Sequence, residues 1–101
     1  MSSSTRQDGP THWKVELKGK TVHAAMLKAV AASLTFPAHF GNNLDALYDC
    51  LTDLPLAPGR EYSIELANLA RSPSGDSLHT VFVDAAEYWR ERGVGLLIRR
   101  D

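Results

Sequence analysis

A chain of 101 residues, 44% hydrophobic and 23% charged, is long enough for one compact domain, too short for two, and too apolar to be disordered. A single cysteine, Cys50, excludes an internal disulfide and a four-cysteine zinc site, and no apolar run approaches the roughly 18 residues that cross a bilayer. The net charge of −1 is uninformative, but its distribution is not: no Lys or Arg lies between Lys28 and Arg60, and Asp45, Asp49 and Asp53 all fall in that gap, a patch that fits a basic partner and disfavours nucleic acid.

Residues 1–11, MSSSTRQDGPT, read as a flexible polar tail preceding one domain over 12–101. The tail lacks the apolar core of a signal peptide, so a cytoplasmic location is expected. From His12 to Leu17 the pattern alternates, with Trp13, Val15 and Leu17 on one side and Lys14 and Glu16 on the other, the period of a half-buried strand. Lys18, Gly19 and Lys20 turn the chain. Thr21 then stands where a helix cap is expected, and Val22, Met26, Val30 and Leu34 recur every four residues after it. That helix must stop before Pro37, whose ring excludes the helical region for Phe36.

Gly41, Asn42 and Asn43 form a turn, and Asn43 is a suitable N-cap for a second helix reaching about Leu54. Pro55, Pro58 and Gly59 close it. Tyr62, Ile64 and Leu66 mark a second strand over 61–66, followed by a loop at 72–75. A third helix is expected from about Asp76 to Arg92, burying Leu78, Val81, Phe82, Ala85 and Trp89, with Gly93 ending it. The apolar run from Val94 to Ile98 predicts a last strand covered on both sides. Strands separated by helices imply an α/β fold with a parallel sheet.

On a helical wheel of about 100° per residue, Leu44, Leu47, Leu51 and Leu54 gather on one side of the second helix. Asp45, Asp49 and Asp53 line the other, with Tyr48 and Thr52 between them. The plain interpretation of such a face is solvated surface. Two features argue for more. Like charges four residues apart repel by about 0.2–0.5 kcal/mol per pair, and no basic residue on this helix offsets them. Aspartate is also a poor mid-helix residue, so Asp49 is locally unfavourable where Glu or Lys would serve better.

Residues 36–54, FPAHFGNNLDALYDCLTDL, closely resemble the second-helix signature of the barstar family, intracellular inhibitors of secreted guanyl-specific microbial ribonucleases of the barnase type. Outside this stretch the resemblance rests on the order of elements and the apolar pattern. It implies an open three-stranded parallel sheet packed against three or four helices, and a protein that is not an enzyme. It also implies a 1:1 complex with a barnase-type ribonuclease, no cofactor, and a monomer when free. Carried over by position, Asp49 becomes the main anchor, standing in for a substrate phosphate, and Asp45 adds a second charged contact. His39, Gly41 and Asn43 fall where the family's loop and helix start meet the partner. Tyr48 and Leu54 take apolar contact positions, Asp53 extends the acid row, and Asp84 on the third helix matches a remote acidic contact. His39 replaces a familiar tyrosine, Leu54 a tryptophan and Asp84 a glutamate. The family's prototype is itself a reference case for charged hot spots and electrostatic steering.

Other signals are weaker. Gly19-Lys20-Thr21 echoes the end of a phosphate-binding loop, but Lys14 stands where its first glycine belongs. His12, His23, His39 and His79 lack metal-ligand spacing, and Cys50 reads as a half-buried thiol, not a nucleophile. Two alternatives remain: an acidic adaptor or immunity protein for a basic partner that is not a ribonuclease, and a metal-dependent hydrolase using Asp45 and Asp49. A row of single acids without supporting carbonyl ligands makes a poor cation site, which disfavours the second.

Overall fold

The structure, a computed structural model, describes residues 11–37, 40, 41 and 43–101. Its elements run β1 (His12–Glu16), α1 (His23–Leu34), α2 (Leu44–Leu51), β2 (Glu61–Ala67), α3 (Pro73–Arg90) and β3 (Gly95–Arg100). The strands form one parallel sheet in the order β1-β2-β3. This is the open three-stranded α/β arrangement expected from the sequence, with three helices among the described residues.

The alternating residues of β1 and β2 put Val15, Tyr62, Ile64 and Leu66 on one face of the sheet, all buried. Against that face α1 contributes Met26, Leu27, Val30 and Leu34, and α3 contributes Leu78, Phe82, Ala85 and Trp89. Phe82 is the largest fully buried side chain. Complete burial of a side chain of this class contributes about 1.5–3 kcal/mol. The opposite face is open, because His12, Lys14, Glu16 and Glu61 are exposed. On it, His12 Nδ1 and Ser63 Oγ are 2.6 Å apart across neighbouring strands.

Several sequence expectations need correction. Val22, not Thr21, is the N-cap of α1; it makes no side-chain cap bond and is 57% exposed, outside the buried stripe assigned to it. The third helix begins three residues early. Ser72 caps it by accepting from Gly75 N, and Pro73 occupies its first turn, where a missing N–H is harmless. The segment 72–75 is therefore a helix start and not a loop. The second helix ends at Leu51, since the Thr52 hydroxyl donates to the carbonyls of Tyr48 and Asp49 and terminates it. The last strand is not covered on both sides: β3 is an edge strand with alternating exposure, and Leu97 is 58% exposed. A short apolar run cannot distinguish a central strand from an edge that keeps one apolar residue in water. Finally, Thr11, assigned to the tail, accepts from Ser63 N at 2.9 Å and so belongs to the sheet; residues 1–10 of the expected tail lie outside the described residues.

Polar contacts tie the C-terminal ends of the strands together. Arg100 donates to the Ala70 carbonyl at 2.9 Å and pairs with Asp76 at 2.8 Å, joining β3 to the start of α3. Asn68, in the left-handed region at φ 59°, donates through Nδ2 to Glu16 and through its backbone N–H to Asp101. The Asn68 amide, and after it the Lys18 backbone N–H at 3.0 Å, hold the Glu16 carboxyl below its usual range. His79 is half-buried, and desolvation followed by the charge of Arg100 lowers its pKa.

Candidate functional site

The acidic segment begins with a braced loop. Phe36 and Phe40 pack against each other at 5.2 Å and against the core, and Phe40 N donates to the Pro37 carbonyl. The Asn43 side chain then locks the entry to α2: its Oδ1 accepts from Ala46 N at 2.7 Å and its Nδ2 donates back to the Gly41 carbonyl at 2.6 Å. An N-cap of this kind is worth about 1 kcal/mol. Asn43 thus has an internal role as a clamp on both loop and helix. Gly41 is exposed beside it, and His39 lies outside the described residues.

Within α2, Leu47 and Leu51 are fully buried. That fixes the rotation of the helix and leaves Asp45 and Asp49 exposed on the side away from the core. The far end is secured by the indole of Trp89, which donates to the Leu51 carbonyl at 2.9 Å in a buried bond. A helix of eight residues is held at both ends, by an amide below and an indole above.

Tyr48, 36% exposed, stands between the acid row and α3, edge-on to Tyr88 at 6.4 Å. Tyr88 is in turn edge-on to Trp89, and the Arg92 guanidinium lies 3.7 Å over its ring. Asp84 is four residues before Tyr88, on the same side of α3, so the fold brings Asp84 toward the flank of α2 that carries Tyr48. Tyr88 and Arg92 had no place in the sequence-level site. They lie more than 30 residues from α2 in the chain, and only the packing of α3 on α2 reveals them.

Asp53 is exposed in the turn after α2. Leu54, expected as an apolar contact, is 9% exposed and part of the core, so little of it is available to a partner. Cys50 is half-buried, and burial, followed by the charges of Asp49 and Asp53, pushes its thiol pKa up. A thiol so disposed stays protonated and unreactive. Among the described residues, no group of three or more His, Cys, Asp or Glu side chains converges to hold a metal ion.

What remains is a rigid, exposed row of carboxylates flanked by an aromatic residue on a braced loop and helix. Residues 12–100 match the model of the family described as Barstar (barnase inhibitor). The chain belongs to the barstar family. Membership supports a barnase-inhibitor-like role, and with it the binding of a ribonuclease in general. No curated protein matches the chain closely enough to name as a relative.

Proposed function

We propose that this barstar-family chain inhibits an extracellular guanyl-specific ribonuclease of the barnase type, seating α2 and the preceding loop in the enzyme's active site as a 1:1 complex. The observation that carries the reading is the exposed Asp45–Asp49 row on a helix fixed at both ends, with no basic residue on it. A ribonuclease site is basic because it must hold phosphates. A carboxylate delivered there takes charge-assisted hydrogen bonds from the same Arg, Lys and His groups. Because the helix is preorganised, little ordering entropy opposes the contact. Asp49 is the central anchor, Asp45 and Asp84 add charge, and Tyr48 supplies apolar surface between them. The chain acts stoichiometrically and not as a catalyst, and the setting that fits is the bacterial cytoplasm, where such an inhibitor gives immunity to a secreted or invading nuclease.

Titration against a panel of guanyl-specific extracellular ribonucleases tests this. RNA cleavage by at least one enzyme should fall to near zero at an equimolar ratio and remain so on dilution to low micromolar concentration. If every enzyme retains full activity with micromolar inhibitor, the acidic face serves a basic partner of another kind.

A further inference from the structure

Beside the base-free helix α2 the fold sets a cation that the acid row does not explain. The Arg92 guanidinium lies 3.7 Å over the Tyr88 ring, and Tyr88 meets Tyr48 edge-on at 6.4 Å. One aromatic ring therefore links this charge to the Tyr48 flank of α2. Arg92 is exposed, yet it is held: its Nη1 donates to the Tyr88 carbonyl at 3.0 Å while the ring supports the guanidinium from one side. Among the described residues it makes no ion pair. Arg90, two residues earlier, contrasts with it, because Arg90 pairs with Glu87 and lines a groove with Val83 and Leu97.

The ordinary reason for a base at this place is the C-terminal end of α3, whose unpaired carbonyls attract positive charge. That reason accounts for the Nη1 bond and for a charge in the last turn, which Arg90 already supplies. It does not account for a guanidinium fixed on an aromatic ring with its remaining N–H donors unpaired.

We propose that Arg92 is a specificity-determining residue of the partner contact, taking a carboxylate on the rim of the ribonuclease active site, outside the basic pocket that receives Asp49. The proposal rests on the inhibitor reading above and narrows it. An enzyme surface that receives the acid row is basic, and a fixed cation brought against such a surface is repelled unless an acid answers it. A carboxylate answers it best, since the planar fork of a guanidinium matches its two oxygens with parallel hydrogen bonds. The ring and the Tyr88 carbonyl already hold the side chain, so pairing costs little rotamer freedom. The same charge rejects a nuclease that carries Lys or Arg at that point of its rim, which is how a repulsive element separates near-identical partners.

Dissociation constants with an inhibited ribonuclease, for the parent chain and its Arg92 variants, decide it. Arg92→Ala should weaken binding by about tenfold, and Arg92→Glu by about a hundredfold or more, because it sets one carboxylate against another. Arg92→Lys, which keeps the charge and loses the fork, should fall between the parent and Arg92→Ala. On the enzyme, each Asp and Glu around the mouth of the active site is changed in turn to Asn or Gln. One of these changes should weaken the parent complex by about tenfold and leave the Arg92→Ala complex unaffected. A residue that merely finished α3 or supported Tyr48 would show no such coupling, since its loss would weigh equally on every enzyme variant. Circular dichroism and urea melts establish that each Arg92 variant is folded, as expected for an exposed position. A change of less than about twofold in Arg92→Ala, or a loss coupled to no enzyme carboxylate, overturns the proposal and leaves the inhibitor reading standing. A parent chain that inhibits no ribonuclease overturns both.

Discussion

Asp49 sits one turn from Asp45 and in the last turn of α2, where the carbonyl end of the helix already concentrates negative charge. Asp53 follows just past that end, while Asp45 lies in the first turn, where the positive end favours it. The three acids therefore bear on folding and binding in different proportions. Asp49→Ala and Asp53→Ala should each stabilise the free protein by about 0.3–1 kcal/mol, by relieving repulsion and replacing a poor helix or helix-end residue. Asp45→Ala should gain nothing. In the proposed complex only Asp49 is central, so Asp49→Ala alone should weaken inhibition by about a hundredfold or more, the scale of a desolvated charge contact losing one partner. Urea melts and inhibition titrations on the same three variants separate the outcomes. If Asp49→Ala destabilises the fold, or leaves inhibition intact, the row is a solvated face and the anchor lies elsewhere.

Between elements, the tightest joint is the one least visible in the sequence. Ser72-Pro73-Ser74-Gly75 has the composition of a loop, and Pro and Gly normally interrupt structure. Here Ser72 is the cap, Pro73 opens α3, and Gly75 faces the Ala70 carbonyl so closely that a Cβ would lie 1.9 Å from it. Helix propensity alone would reward Gly75→Ala by about 1 kcal/mol. The collision is with backbone and cannot be relieved by a rotamer, so it wins. We expect Gly75→Ala to destabilise by about 1–3 kcal/mol net, read as an earlier urea midpoint with an unchanged slope. A variant as stable as the parent would mean that α3 can slide away from residue 70 without loss. The acid helix, in contrast, was legible almost residue by residue: Asn43 as its cap, Leu47 and Leu51 as its buried side, Asp45 and Asp49 as its wet one. Its local pattern and its tertiary environment agree, which is when sequence reading works.

At the scale of the whole molecule, a nearly neutral chain sets Asp45, Asp49 and Asp53 in a stretch, 29–59, that contains no Lys or Arg, while Lys14 to Lys28 and Arg90 to Arg100 hold much of its base. A charge pattern of this kind steers a basic partner through fields that salt screens beyond about 10 Å at 0.1 M. Association with an inhibited ribonuclease should therefore slow steeply as salt is added, while dissociation changes much less. Stopped-flow rates at several ionic strengths measure both, and an association rate independent of salt would remove steering from the mechanism.

The sequence by itself determined the alternation of strands and helices, the buried sides of β2, α2 and most of α3, and the acid row. Each depends on periods of two or 3.6 residues, which a local window contains. Only the tertiary structure decided that β3 is an edge, that Tyr88 packs edge-on to Tyr48, and that Arg92 lies over the Tyr88 ring. It alone placed Trp89 against the end of α2. Those facts depend on which elements become neighbours across 30 or more residues of chain. That choice is made by burying the most apolar area at once, and no single segment carries the information.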